Sequence, residues 1–594
     1  MGVSLQFEVP FDAGGQGLWN VGAEGEILRT SPRGTGYDAR SWGSGCRFGV
    51  GLGRTRGVAP AHGRSAPGPR GHQCPEGIRR AGSRARSAHL ILQSKGVSMA
   101  TEVRSAGSTE DPHLRRELHL WEAVGISLAL MAPSMAANIN PQGTAGTIGR
   151  AVPLAFALAT IGVLFIAWTF VRLTQRFNHA GSVYGFVGAS LGSRAGVVSG
   201  WALMGTYTFY GVVTATASGI FGADFLDSLG IWTDQPGWAP YAVGAVAFAG
   251  VWALAASNIR EGTRVLVVIE ATTVALILIV SVVILVRLAT GTAPNGNTLD
   301  FSVFSVPGGT GLSAVFLGVV FGFLSFAGFE AAATLGEEAQ EPRRDIPRAI
   351  LGVAIFGGLY YIFVTAVEVM GFGTDAKGIK EFIASGSLLG DLGSRFVAGW
   401  VGELITIGAA VSALGCDLAC VVGATRLLYA LSRDEVGPPP LGTVSARNGV
   451  PVRSTATVAV AVYVIIFLGW TMFGVAPFDL FLASGTIGTL ILLLVYALAT
   501  IGAAKLLFFS GERQVAVWEV VVPFLALVVI GYTLFRNVYP YPTDATAWYP
   551  IIAALWVIAG IIVTLVRGAA TRRAGERLMA EEGLAPSPGP RTGT

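Results

Sequence analysis

The residues best placed to do chemistry in this chain are carboxylates where water should be scarce. Glu330 is the sole ionisable group within Leu312–Leu335, a run of 24 residues, and follows directly on Ser325-Phe326-Ala327-Gly328. Glu270 stands inside a second apolar stretch, VLVVIEATTVALI, and Glu403 and Asp417 inside a third. A carboxylate at membrane depth is costly and faces protein, water or a ligand. What it can do there is hold a cation, carry a proton or gate a path. Bond-making chemistry finds no support. None of His113, His119 and His179 has the partners of a triad or a metal site, and no glycine-rich phosphate loop is present to bind ATP. Cys46 and Cys74 are isolated, while Cys416 and Cys420, one helical turn apart in an apolar run, read as small buried thiols.

A second kind of chemistry belongs to the backbone. In WEAVGISLALMAPSMAANINPQGTAGTIG the helical pattern is lost at Pro133, which lacks an N–H and clashes with the carbonyl four residues back. Ala132, Ser134, Ala136 and Ala137 are small, and Asn138, Asn140 and Pro141 follow before a loop. Peptide groups freed at membrane depth must be satisfied by protein, water or a ligand. A break exposes N–H groups at one helix start and carbonyls at one helix end, giving separate places for an anion and a cation. Ser325–Glu330 is a second interruption, five apolar runs later. Paired interruptions in corresponding halves of a chain are the sequence pointer to a midplane transport site.

The elements that must position these groups are membrane helices. The 594 residues are 52% hydrophobic and only 13% charged, too apolar for an ordinary soluble protein. Twelve apolar spans follow Leu120, at 121–140, 151–171, 195–222, 239–256, 263–288, 312–335, 346–371, 397–425, 454–474, 478–504, 515–535 and 547–566. A crossing needs about 20 residues. With the N-terminus inside, the inner connections hold most of the basic residues, among them Arg343, Arg344, Arg348, Arg426, Arg433 and Lys505. The outer ones hold few, and the loop around Asp224, Asp227 and Asp234 holds none, as the positive-inside rule requires. Both termini are therefore expected in the cytoplasm of a multi-pass inner (plasma) membrane protein. Residues 1–98, rich in Gly, Pro, Ser and Arg, read as a low-complexity extension that is disordered or stems from a start assigned upstream of Met99. Residues 99–120 read as a cytoplasmic tail, 121–567 as the twelve-helix domain and 568–594 as a basic amphipathic stub with a Pro/Gly tail.

Three stretches resemble the amino acid–polyamine–organocation (APC) family of permeases, bacterial amino acid permease type, from about Leu118 to Arg567. The first is Ser325-Phe326-Ala327-Gly328-Phe329-Glu330, with Phe323 upstream, continuing through Glu337-Glu338 to Pro342-Arg343-Arg344-Asp345-Ile346-Pro347. The second is NHAGSVYGFVGASLGSRAGVVSGW from Asn178 to Trp201, and the third is ATRLLYALSRDEVGPP from Ala424 to Pro439. The resemblance implies an all-α fold of 12 transmembrane helices. Helices 1–5 and 6–10 would form a 5+5 inverted repeat with helices 1 and 6 discontinuous, and helices 11–12 would lie at the periphery. It implies secondary active transport of an amino acid, with a permease or exchanger for a small amine or polyamine as the alternative. It places the α-carboxylate at the first break and the α-ammonium at carbonyls of both. The implicated residues are Ala132, Pro133, Ser134, Met135 and Ala136 with Ser325, Phe326, Ala327 and Gly328. The chain departs from the glycine-rich first break common in the family, having Ala132-Pro133-Ser134-Met135-Ala136 instead.

Phe326 and Phe329 are candidates for an aromatic gate over the solute, Tyr207 and Tyr210 for hydroxyls reaching it, and Glu330 for gating. Family members coupled to protons often carry a Lys near the position of Glu270. A carboxyl there serves as a proton carrier, or contacts Arg264 or a helix N-terminus as a structural group. Proton coupling, solute exchange and sodium all stay open, with Ser412 available to a sodium site. Glu403 and Asp417, read as buried acids, suit a proton path or internal ion pairs, whereas Glu368 and Asp479 near helix ends read as wetted. No cofactor beyond the coupling ion, H+, is expected. The expected partners are an amino acid or small amine and the lipid bilayer, with self-association left open and no nucleic acid.

Overall fold

The computed structural model describes residues 119–177, 182–257, 261–306, 308, 311–335, 338–445, 449–510 and 515–581, together with two short strands. The strands, Trp19–Val21 and Ile27–Arg29, pair antiparallel with Trp19 opposite Arg29, and belong to a unit of their own. The remainder of the expected extension and tail lies outside the described residues.

Every one of the twelve apolar runs is helical. The elements are α1 (Leu120–Met131), α2 (Pro133–Ile148), α3 (Val152–Thr174), α4 (Ser182–Leu191), α5 (Ser193–Ser228) and α6 (Ala239–Ala255). Then come α7 (Glu261–Ala289), α8 (Leu312–Phe326), α9 (Pro342–Phe372), α10 (Ala376–Ala384), α11 (Leu388–Phe396) and α12 (Gly399–Arg433). The last are α13 (Val452–Thr471), α14 (Pro477–Ala504), α15 (Val521–Arg536), α16 (Trp548–Val566) and α17 (Gly568–Glu581). Among the described residues, 10 helical stretches are long and apolar enough to cross a membrane; the first, Leu120–Thr174, spans α1 to α3, and α6 is a shorter apolar helix. Large apolar side chains on α7, α13, α15 and α16, such as Ile279, Val460, Phe524 and Leu555, face outward, as they would toward lipid.

The first run does not end at residue 140 but continues to Ile148. Its polar residues are not a loop signal: they serve neighbouring backbone. Asn138 Nδ2 donates to Ser134 O (2.9 Å), Gln142 Nε2 to Phe382 O (3.1 Å) and Ser385 O (2.6 Å), and Thr144 Oγ1 to Gly318 O (3.1 Å). Asn138 Oδ1 also accepts from Leu389 N (2.9 Å), capping the first turn of α11. Two short helices, α10 and α11, thus sit where a connecting loop was expected. At the end of α9, Thr374 and Ser302 donate to Asp300, and these hydrogen bonds hold its carboxyl below the usual carboxylate range.

Small residues let the helices close up. A Cβ on Gly219 of α5 would run into Pro240 O of α6, and one on Gly244 would lie 2.5 Å from Ala215 O, so the two backbones touch where only glycine fits. Nearer the start of α5, Trp201 and Trp556 stack at 5.4 Å, each indole N–H donating to the other's carbonyl at 3.0 Å. This ties α16 to α5. The basic stub is helical as α17, and its Arg577 pairs with Asp434 (3.0 Å) and its Arg573 with Glu435.

At the start of α15, Glu519 accepts from Trp168 Nε1 (2.9 Å) and from Arg172 Nε (3.0 Å) and Nη2 (2.5 Å) of α3. Truncating one partner of such a largely buried pair leaves a stranded charge. Glu519→Ala is expected to cost about 2 kcal/mol, read as a lower Tm in detergent. Solute KM should not change, because no part of this pair reaches the central cavity.

Candidate functional site

The first break is one residue wide. Ala132 adopts a left-handed conformation (φ 46, ψ 59), its N–H closing α1 on Leu128 O at 2.9 Å. Pro133 then opens α2 as its first helical residue, a position where a missing N–H costs nothing and the fixed φ suits the helix. Ser134, Met135 and Ala136 are therefore the first turn of a new helix rather than unwound chain. The fate of each amide can be followed. Ser134 N–H donates to Glu270 Oε1 of α7 (2.8 Å), Met135 N–H to Ser412 Oγ of α12 (3.3 Å), and Ala136 N–H to Ala132 O (2.9 Å). Glu270 is therefore a cap, bonded to a helix start 136 residues earlier in sequence. The pairing with Arg264 considered above concerns a side chain outside the described ones.

The second break is wider. Ser325 and Phe326 still belong to α8, and the turn runs from Ala327 to Glu330 before a 3-10 segment at Ala331–Leu335. Gly328 has φ 101, which excludes a side chain. Glu330 lies within the break and not after it. Ser127 Oγ of α1 receives Ala332 N–H (2.9 Å), and Tyr361 of α9 donates to Ser325 O (2.8 Å). Asn140 Nδ2 reaches Ser325 Oγ at 2.7 Å, linking the two breaks.

Both breaks open on one narrow cavity between α1, α5, α8 and α12. Its lining includes Met131, Met135, Tyr207, Tyr210, Ala327, Gly328, Glu330 and Cys416. Glu330 is 3% exposed, and its Oε2 has no hydrogen-bond partner among the described residues. The carbonyls of Met131 and Ala327, one on each side, accept no backbone hydrogen bond from outside the helices among the described residues. Cys416 donates its thiol to Leu130 O (2.9 Å), and Tyr210 OH bonds Thr489 Oγ1 of α14 (3.0 Å). Cys416 and Cys420 are buried free thiols.

Of the predicted residues, the structure brings Met135, Ala327, Gly328 and Glu330 to the cavity, with Glu270 immediately behind Ser134. Phe326 and Phe329 turn elsewhere. Phe326 packs on Tyr361 (5.3 Å between centroids), and Phe329 sits edge-on between Phe170 and Tyr496. Tyr207 and Tyr210 take the cavity-facing place the phenylalanines were expected to hold. Asp417 is fully buried against α5, where a Cβ on Gly211 would lie 3.7 Å from its Oδ1, and neither of its oxygens is hydrogen-bonded among the described residues. Two readings need correction. Glu403 is half-buried, not deep, because α12 begins at Gly399 and keeps it near the helix end. Glu368, expected to be wetted, is 0% exposed, as α10 and α11 pack against the end of α9, and both its oxygens are unpaired among the described residues. Asp479 is exposed as expected. Ser127, Tyr361 and Cys416 were missed as break-holding residues; the signal available was a polar or aromatic group isolated in an apolar helix.

A sequence profile of the amino acid permease family matches residues 124–573, nearly all of the helical part. An uncharacterised transporter of Mycobacterium tuberculosis is 29% identical over 351 residues, 59% of this chain and 73% of that protein. The low-affinity putrescine importer PlaP of Escherichia coli is 29% identical over 335 residues, 56% of this chain and 70% of the importer. The branched-chain amino acid permease BcaP of Bacillus subtilis is 27% identical over 367 residues, 59% of this chain and 74% of the permease. With apolar helices, two breaks and one shared cavity, this chain belongs to the amino acid permease family: it is a multi-pass membrane transporter of small polar solutes such as amino acids or amines, and not an enzyme.

Proposed function

We propose that the protein is a secondary active transporter that carries a small solute bearing a protonated amino group, an amino acid or an amine, across the plasma membrane by alternating access around the cavity. In this reading the chain crosses twelve times with both termini in the cytoplasm, and α1–α7 and α8–α13 and α14 contain the two five-helix repeats. The observation that carries it is the set of unpaired acceptors at the breaks. Among the described residues, Glu330 lines the cavity with its Oε2 unpaired and the Tyr496 hydroxyl beside it, and Met131 and Ala327 line the same cavity with carbonyls that accept no backbone hydrogen bond from outside the helices. An ammonium supplies three N–H donors and one positive charge, which suits that set.

Coupling is to protons in this proposal. Glu270 joins the start of α2 to α7, while Ser412 of α12 holds the adjacent amide, so three helices meet at a group that changes charge with a single proton. Glu330 gates the cavity, and Asp417, buried and unpaired beside α5, is a further proton carrier. The half-buried Glu403 is left with a role at the helix end.

The test is uptake into proteoliposomes with labelled putrescine and labelled valine as first probes, the solute kinds named for two of the relatives. Saturable uptake of at least one probe is expected, several-fold faster under an inward proton gradient and slowed by a protonophore. Uptake that ignores the gradient would remove proton coupling while leaving the transport site in place.

A further inference from the structure

The amides at the first break already have occupants. A helix start is where a cavity of this kind would take up an anion, because its N–H groups and dipole point outward together. At the start of α2 none of those groups is left over. Pro133 has no N–H, Ser134 N–H goes to Glu270 Oε1 (2.8 Å), Met135 N–H to Ser412 Oγ (3.3 Å), and Ala136 N–H to Ala132 O (2.9 Å). The Ser134 hydroxyl, unpaired among the described residues, lies beside the same carboxyl, and at the second break the Glu330 carboxyl lies against the backbone of Gly328 and the Tyr496 hydroxyl. Both carboxyls are more than nine-tenths buried, Glu270 at 7% exposed and Glu330 at 3%. What remains unpaired among the described residues is mostly acceptor: Glu330 Oε2, Glu270 Oε2, Asn140 Oδ1 and the carbonyls of Met131 and Ala327, against the two hydroxyls of Ser134 and Tyr496.

The geometry points to Glu270 as a built-in occupant of the carboxylate position at the α1–α2 joint, so that the solute is a small amine with no carboxylate beside its ammonium group. This rests on the transport-site reading above and narrows its substrate class. A solute carboxylate at this joint would have to displace Glu270 from Ser134 or sit beside it as a like charge, and two carboxylates sharing a site cannot both stay ionised. An ammonium meets no such conflict. In its ionised state Glu270 is thus a specificity-determining residue that acts by exclusion, a repulsive element rather than an attractive contact.

The experiment compares pairs that differ by the carboxylate alone: putrescine against ornithine, isobutylamine against valine, and ethanolamine against serine. Each is measured by thermal stabilisation of the purified full chain and, for any pair that responds, by competition for uptake. In the wild type the amine of the responding pair is expected to act at concentrations at least tenfold lower than its amino acid. Glu270→Gln keeps an oxygen for Ser134 N–H while removing the charge, and should narrow that ratio severalfold by admitting the amino acid. Glu270→Ala should narrow it further, and the wild-type comparison stands even if that variant does not fold. A wild-type preference for the amino acid, or a ratio unchanged in a folded Glu270→Gln, would overturn the inference and leave the transport site standing. Silence from both members of every pair would overturn the transport-site reading, and this inference with it.

Discussion

Gly328→Val is expected to leave the protein folded in the membrane and to abolish uptake. Gly328 sits at φ 101, a backbone region that β-branched residues do not occupy without strain. A Cβ there would lie 2.6 Å from Leu130 Cγ and 2.9 Å from its Cβ, on the α1 turn that precedes the first break. The substitution must therefore move either the turn carrying Glu330 or the last turn of α1, and both line the cavity. Strain of this kind costs on the order of 1–3 kcal/mol, small enough to leave a polytopic bundle assembled. The loss of transport is far larger, because displacing a binding group by about 1 Å can cost roughly a hundredfold or more. Gly250→Val provides the contrast, since nothing lies within 4 Å of a Cβ at that position. The measurement is initial uptake rate at matched protein density, with a monodisperse profile in detergent as proof of folding. Unchanged kinetics in Gly328→Val would separate the second break from transport.

Why that glycine matters was half legible in the sequence. A run of apolar residues long enough to cross a bilayer declares itself, because lipid leaves the backbone no alternative to helix. Pro133 declared the first break for a similarly local reason. Its width did not follow, because proline at the first position of a helix extends order forward, so Ser134 to Ala136 became a helix start instead of loose chain. The occupants of the freed amides were beyond local reading altogether. Glu270 and Ser412 come from helices 136 and 277 residues away in sequence, and no periodicity in α2 encodes which neighbour will cap it.

The misjudged carboxylates share a cause. Depth was read from position along a run, yet burial depends on what packs over the helix end. Glu368 lies close to the end of α9 but is covered by α10 and α11, elements the sequence offered as loop. Glu403 lies within its run but near the start of α12, where packing is incomplete. For Phe326 and Phe329 the deciding variable was direction. Gly328 between them turns the backbone, and one ring goes to Tyr361 and the other to Phe170 and Tyr496. That turn leaves Glu330, with Tyr207 and Tyr210 rather than the two phenylalanines, lining the cavity.

Glu330→Gln is accordingly expected to cripple recognition without disturbing the fold. The replacement has nearly the same shape, keeps a carbonyl oxygen for the backbone groups around it, and loses only the charge. If Glu330 Oε2 is the counter-ion of the solute's ammonium, removing it leaves that ammonium buried beside two neutral carbonyls. Truncating one partner of a buried, hydrogen-bonded charge pair costs about 2–5 kcal/mol, most of it the penalty on the stranded partner. That corresponds to a rise in Kd of at least about thirtyfold, since each 1.4 kcal/mol is a factor of about ten. A neutral solute isostere such as an alcohol should lose its disadvantage in the same variant, because the glutamine amide no longer demands a positive charge. A purely structural glutamate would behave differently, lowering Tm while leaving the ratio of amine to alcohol affinity where it was. Isothermal binding of an amine and its matching alcohol to wild type and Glu330→Gln separates the two, and an unaltered ratio would place the ammonium site away from the second break.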